Sequence, residues 1–385
     1  MVHTLKGSRA LLLVSLAIVF IFAWGMLHAE TEQEVGLMIG VSVVLVLAAR
    51  WLRVTPPLAT SINAYPGALG VGCVVGTLLL VAAFFDNHFA LLLICTVLLY
   101  SIAGFGLNIQ FGYCGVLNFA GAAFFGIGSY TAAVLAEHTG TPHLLILFIG
   151  GVFAALIGSL LILPVLRTRG HYAALVTIAF GVLFKTFLEV NDVLGGPQGL
   201  RIPRMNIFGW ELNENITIGE TEISFYANYA VLSLILCVLA FVLVRRLERS
   251  WIGVSMDVVR TDEIAASVFG IPIARMKIIA FTLGNFLVGI AGAVYGLLTS
   301  YVAPNNFTFA DSLILVSMVL LGGIGNPWGI LPAAAIILIL PEKLQFIQEY
   351  RFLLYGILVI AILLFRPAGL LPRSIRSYFP GQSKA

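Results

Sequence analysis

The chain has 385 residues, 60% of them hydrophobic and only 10% charged, with a net charge of +3 and a mean hydropathy of +1.04. Soluble domains average about 25% charged residues, so a globular enzyme built on one large core is excluded and an integral membrane protein is expected. The cysteines, Cys73, Cys95, Cys114 and Cys237, sit in apolar stretches without metal-ligand spacing and read as small lipid- or core-facing residues, not as a disulfide set.

At the start, Lys6 and Arg9 precede an apolar run that has the outline of a signal peptide. It lacks a small-residue cleavage site and is followed by Glu30, Glu32 and Glu34, so it reads as a retained first span. A span needs about 20 apolar residues, fewer where neighbouring helices shelter its ends. Candidates fall near 10–27, 35–49, 67–85, 89–107, 111–135, 144–166, 172–188, 226–244, 277–299, 309–323, 328–341 and 352–365. The expected fold is therefore an all-α polytopic bundle of about 10–12 transmembrane helices. Residues 1–66 form an extra two-span module and linker, with Arg50, Arg53, Pro56 and Pro57 leading to Pro66. A core over 67–372 and a cytoplasmic tail over 373–385 follow.

The cations set the orientation, because cytoplasmic loops carry excess Lys and Arg. Lys6, Arg9, Arg50, Arg53, Arg167, Arg169, Arg245, Arg246, Arg249, Arg260, Arg275, Lys277, Arg366, Arg373, Arg376 and Lys384 fall on one side, and only Arg201, Arg204, Lys343 and Arg351 on the other. Both termini are then cytoplasmic, which requires an even number of spans. One long span over 309–341 would break that parity. The run Gly322-Gly-Ile-Gly-Asn-Pro-Trp-Gly329 does not continue a helix easily, so two short spans or a re-entrant pair are expected to meet near Asn326 and Pro327. Tandem repeats are not evident, though the glycine-rich breaks at 112–128 and 322–329 are candidates for related halves.

Three stretches stand out from the apolar background. In Gly104–Tyr130, glycines recur with Asn108, Gln110, Tyr113, Asn118, Ser129 and Tyr130. Small residues let membrane helices approach and polar ones cross-link them, which is the bland reading; the cluster, with a helix break near Gly112–Gly115, is also the candidate passage wall. The longest polar insertion, 189–224, opens with Gly195, Gly196, Pro197 and Gly199, and apolar Leu200, Ile202, Phe208 and Trp210 make it a candidate packed external loop as well as a plain solvated lid. Finally, Asp257–Ile271 is a polar helix-forming block set among cations, so it belongs at the cytoplasmic membrane surface, where a short helix is a docking surface.

Other chemistry is missing. There is no glycine-rich phosphate loop ending in Lys-Ser/Thr, no nucleophile elbow and no interleaving of cations with aromatics, so no catalytic residue, metal site or nucleic-acid partner is assigned. His138 and His143 straddle Gly140 and Pro142 and read as solvated loop residues. Lys185 and Glu189, four apart, share a helix face near the outer end of the seventh span. Ion-coupled carriers usually hold acidic or His residues deep in the bundle. None is evident here, so the energy for any transport comes from elsewhere.

At this point the chain resembles the LivM-type permeases of branched-chain amino acid ABC importers, a group that also includes urea and amide permeases. The motifs, in order, are the 104–130 stretch, Gly195–Pro203, Asp262–Gly270, Pro304–Ser312 leading into Gly322–Gly325, and Arg366–Leu371. The resemblance covers 67–372 and implies an ABC importer permease fold with a cytoplasmic coupling helix. It implies a bacterial inner-membrane location and no cofactor bound by the chain itself. The implied partners are cytoplasmic ATPase subunits that use ATP and Mg, a second, LivH-like permease, and an extracytoplasmic substrate-binding protein. The coupling role falls on Asp262, Glu263, Ala265, Ala266 and Gly270. Helix dipoles favour Asp262 and Glu263 at a helix start, the alanines permit close approach, and Gly270 can end the helix. A passage without deep charge suits branched-chain or other neutral amino acids; urea or a short amide is the alternative cargo. An ion-coupled carrier and an intramembrane enzyme are the more remote readings.

Overall fold

The computed structural model describes residues 9–51, 61, 64–167, 172–207, 209–218, 221–344, 350–365, 368–371 and 373. Lys6, Arg53, the Pro56–Pro57 linker, Arg169, Phe208, Glu220, Arg366 and the tail beyond Arg373, with Arg376 and Lys384, lie outside the described residues.

Helices α1 (Arg9–His28), α2 (Glu32–Trp51), α3 (Pro66–Ala83), α4 (His88–Asn108), α5 (Gly121–His138), α6 (His143–Arg167), α7 (Tyr172–Val190) and α8 (Tyr226–Arg249) come first. Two short helices, α9 (Trp251–Thr261) and α10 (Glu263–Val268), precede the long α11 (Ile273–Thr299), and α12 (Phe309–Gly322), α13 (Ile330–Lys343) and α14 (Arg351–Phe365) follow. In lipid the backbone must satisfy its own polar groups, which is why the apolar runs become helices. Each predicted span has a helix at or near its place. Among the described residues, eight helical segments are long and apolar enough to cross a membrane. Helix α2 has 20 residues, with Glu32 and Glu34 in its first turn. Three other expected spans fall short for visible reasons. Helix α5 begins at Gly121, ten residues later than the span expected from 111, because the chain leaves its helix in between. Helices α13 and α14 have only 14 and 15 residues.

The described residues divide into two compact units. The first takes in Met1–Cys95, Glu214–Leu234 and Ile339–Glu349. In it α1 lies along α3, where Gly72 and Gly76 leave room for the Leu16 and Phe20 side chains. Lys343 donates to the Leu27 and Ala29 carbonyls at 2.8 Å each, over a cluster of Met26, Ala29, Val35 and Leu344. The hairpin of β4 (Ile216–Ile218) and β5 (Thr221–Ile223) also belongs here.

The second unit takes in Thr96–Asn213, Ile235–Leu338 and Tyr350–Ala385. Its centre is α11, packed against α5 and α6. The approach is set by glycine: a Cβ on Gly128 would overlap the Gly289 carbonyl, and one on Gly292 would overlap the Phe125 carbonyl. Such small-residue contacts replace the hydrophobic effect as the packing force between helices in lipid. Ser129 adds a hydrogen bond of 2.6 Å to the Gly292 carbonyl across the same seam. Outward-facing Leu183, Phe187, Ile235 and Leu239 remain exposed, as lipid-facing residues should.

Candidate functional site

Two interruptions of regular helix meet in the second unit. In the first, α4 runs on as a π-helical turn, Ile109–Tyr113, and the chain then leaves the helix until Gly121. Gly115, at φ 71°, makes the exit and fits the helix break expected near Gly112–Gly115. Single π turns inside α-helices occur frequently at functional sites. The turn and the exit segment bring three fully buried amides together. Asn118 Nδ2 donates to Gln110 Oε1 at 2.8 Å and to Asn285 Oδ1 at 3.2 Å, while Gln110 Nε2 donates to Asn285 Oδ1 at 3.0 Å and to the Phe281 carbonyl at 3.3 Å. Asn118 Oδ1 accepts from the Ala120 amide at 2.9 Å, a local turn just before α5.

The second interruption follows α12. Gly323 (φ 111°) and Gly325 (φ 84°) turn the chain, and a 3-10 turn at Pro327–Gly329 starts α13. Asn326 Oδ1 accepts from the Trp328 amide at 3.1 Å. At about 1.5 Å per residue, the 14-residue α13 is roughly 21 Å long, short of a full bilayer, whereas the helical run that ends in α12 begins at Pro304 and, at 19 residues, is long enough to cross. The two helices meet near Asn326 and Pro327 as expected, but only the second is short. Asn108 Oδ1 accepts the Gly325 amide at 2.8 Å, so one side chain joins the two breaks.

Of the six candidate passage residues, the structure thus gathers Asn108, Gln110, Tyr113 and Asn118 around the breaks. Ser129 and Tyr130 lie further along α5. Ser129 bonds to the α11 backbone, and Tyr130 lines an apolar groove of about 600 Å³ with Phe153, Phe180, Phe184 and Leu194. All six are buried. The sequence reading missed Asn285, although a lone amide within the apolar run 277–299 was a signal for it.

The polar block 257–271 is not one helix. Helix α9 begins at the N-cap Ser250 and ends at Asp262, whose extended backbone (φ −157°) breaks it from α10. Asp262 Oδ1 accepts the Ile264 amide at 2.8 Å and the Ala265 amide at 3.0 Å. A side chain competing for backbone amides in this way starts a new helix where propensity alone would continue the old one. At the far end Gly270, at φ 73°, donates to the Ser267 carbonyl, and Ile271 donates to the Ala266 carbonyl, both at 3.0 Å. Gly270 therefore ends the helix as its residue type suggested. Glu263 forms a 2.7 Å ion pair with Lys277 of α11. Ala266 is fully buried within the chain, and the outward tip is apolar, with Ile264, Val268 and Phe269 about four-fifths exposed at 78%, 79% and 80%.

On the opposite ends of the helices, the glycine-rich loop is folded against the turn after α11. Gly195, Gly196 and Gly199 all have positive φ, with Pro197 inside the 3-10 turn Gly196–Gln198. The following β1 (Leu200–Arg201) pairs with β6 (Tyr301–Val302), and Tyr301 donates its hydroxyl to the Gln198 carbonyl at 2.6 Å. Ile202 is a buried anchor, as expected. Trp210 is not: it is 59% exposed on the hairpin of β2 (Asn206–Ile207) and β3 (Trp210–Glu211), and Met205 and Leu212 are buried there instead. Lys185 and Glu189 form the expected i,i+4 pair at 3.1 Å. The Pro304–Ser312 motif starts α12 through a capping box between Thr308 and Asp311.

A family model described as Branched-chain amino acid transport system / permease component matches residues 89–363. The chain belongs to this permease family. It is of LivM type. It is 35% identical over 289 residues to the High-affinity branched-chain amino acid transport system permease protein LivM of Escherichia coli strain K12, covering 71% of this chain and 68% of that protein. It is 23% identical over 330 residues to the Probable branched-chain amino acid transport permease protein LivM of Methanocaldococcus jannaschii, covering 71% and 90%. It is 24% identical over 297 residues to the High-affinity branched-chain amino acid transport system permease protein LivH of Salmonella typhimurium, covering 71% and 91%. No solved structure matches the chain. The permease is a multi-pass membrane protein of helical architecture.

Proposed function

We propose that this permease is the membrane subunit of an ATP-driven importer of branched-chain or other neutral amino acids in a bacterial inner membrane. It builds the pathway with a second, LivH-like permease. Cytoplasmic ATPase subunits hold ATP and Mg and dock on α10, and an extracytoplasmic binding protein delivers cargo. The observation that carries this reading is the surface pair α9–α10. Asp262 caps α10, Gly270 closes it, and its exposed tip is apolar. An apolar knob held on a short rigid helix suits insertion into a groove of a soluble partner.

The amides Gln110, Asn118 and Asn285 supply neutral donors and acceptors at the helix breaks. In this reading they, with Asn108 and Tyr113, line the passage when the breaks part, and the glycine loop at 195–199 faces the binding protein. Neutral amides offer no fixed charge for an ionic cargo, which fits a zwitterion or a small amide.

Purification of the tagged chain in mild detergent, with mass spectrometry of co-purifying chains, tests the assembly. An ATPase and a second permease are expected. A reproducible homo-oligomer without an ATPase contradicts the proposal. Binding of leucine against urea by the accompanying binding protein then separates the amino acid cargo from urea or a short amide.

A further inference from the structure

We propose that Arg373 is a positioning residue through which the surface helices α9–α10 and the two helix breaks move together. The proposal rests on the importer reading above. By sequence Arg373 opens the tail that follows the last helices. In the structure the segment 368–371 returns to the end of α12. The Leu370 amide donates to the Leu321 carbonyl at 2.7 Å, and the Leu371 amide donates to the Gly322 carbonyl at 3.2 Å. These are last-turn carbonyls that a helix end leaves without partners of its own. Asn326 Nδ2 in turn donates to the Leu371 carbonyl at 3.0 Å. The strap is thus fastened to the end of α12 and to Asn326 within the second break.

Arg373 extends that strap to the other elements. Its guanidinium donates to both oxygens of Asp257 on α9, at 2.5 Å and 2.7 Å. Its Cζ lies 5.0 Å from the centroid of the Tyr113 ring in the π turn. Its Cδ is close enough to Gly325 that a Cβ there would approach it to 2.8 Å. One planar cation therefore touches α9, the first break and the second break. Arg260, further along α9, lies on Gly115 at the exit of the π turn, which gives α9 a second hold on the same place.

The pair is mostly withdrawn from solvent, with side chains 15% and 21% exposed, so it is weakly screened and geometrically demanding. A two-point carboxylate bond plus a ring contact needs the flat fork of Arg; the point charge of Lys reproduces neither. A displacement of α9–α10 driven from the cytoplasm would be carried by this fork to Tyr113 and Gly325. The Gly325 amide is the group that joins Asn108 to the second break.

The test uses the intact assembly, reconstituted in liposomes with its ATPase, partner permease and binding protein, and reads leucine taken up per ATP hydrolysed. Asp257→Asn and Arg373→Lys are each expected to lower that ratio about tenfold at unchanged yield of assembly. The swap Asp257→Arg with Arg373→Asp is expected to restore part of it. An unchanged ratio in both single variants overturns the proposal. So does a loss of uptake matched by equal losses of hydrolysis and of assembled complex, because the pair is then only a brace. If the unaltered assembly shows no ATP-driven uptake, the importer reading has failed, and the linkage is decided on the isolated chain. There Cys114, 1% exposed beside the π turn, is kept as the sole cysteine and labelled with a maleimide. The same variants are expected to label about tenfold faster. Equal labelling overturns the linkage.

Discussion

Asn118 Nδ2, inside the first helix break, donates to Gln110 Oε1 of the π turn eight residues earlier at 2.8 Å, and both amides converge on Asn285 of α11. All three side chains are fully buried. Asn285→Leu would remove the shared acceptor and leave Asn118 with one partner fewer. Hydrogen bonds between membrane helices are worth about 0.6 kcal/mol each on average, with a maximum near 1.7. Losing two should destabilise the chain by about 1–3 kcal/mol. A lower thermal midpoint in detergent is expected; an unchanged midpoint would show that the network is not formed.

Close packing of α5 on α11 makes a second prediction. Gly292→Val places a side chain on the Phe125 carbonyl, a contact with rigid backbone that cannot rotate away. Overpacking of this kind costs about 1–3 kcal/mol, often with loss of yield. Gly140→Val is the matched control, since a Cβ there meets nothing within 4 Å. Thermal unfolding of the two side by side should separate them clearly.

The apolar tip of α10 is open to direct attack. Ile264→Asp with Phe269→Asp alters two residues that are 78% and 80% exposed. Surface changes of this sort move stability by only about 0.5 kcal/mol. Insertion and folding should survive, while co-purification of the ATPase should fall about tenfold or more. Full recovery of the ATPase would remove α10 as the docking element.

Glu263 offers a charge test. Its carboxylate, 55% exposed, is paired with Lys277 at 2.7 Å. Exposed pairs contribute at most about 1 kcal/mol, so Glu263→Lys should leave the fold intact. It nevertheless sets two ammonium groups against each other at the start of α10. Uptake should drop, and Lys277→Glu in the same chain should recover part of it. Normal uptake by Glu263→Lys would sink the coupling role assigned to Glu263.

Local chemistry made several of these features legible in advance. Glycine at positions that need positive φ marked both breaks and the end of α10, and Asp262 announced a helix start. Apolar run length located the helices to within a few residues, except at α5. There the chain spends Gly115–Ala120 outside the helix, and hydropathy, which averages over such a segment, could not show it. What escaped was non-local. Asp257 and Arg373 are 116 residues apart, and neither residue type predicts the other. The inward turn of Ala266 depends on how α10 lies on α11, which spacing within six residues does not fix. Trp210 misled because a large apolar residue in a loop usually anchors it, whereas here Met205 and Leu212 fill that space.

ATP-driven import through this chain is decided by uptake of labelled leucine into proteoliposomes. These would hold the co-purified assembly, with binding protein outside and ATP inside. Accumulation that requires ATP and stops when the ATPase is inhibited is expected. Accumulation that follows an imposed ion gradient and ignores ATP would contradict it.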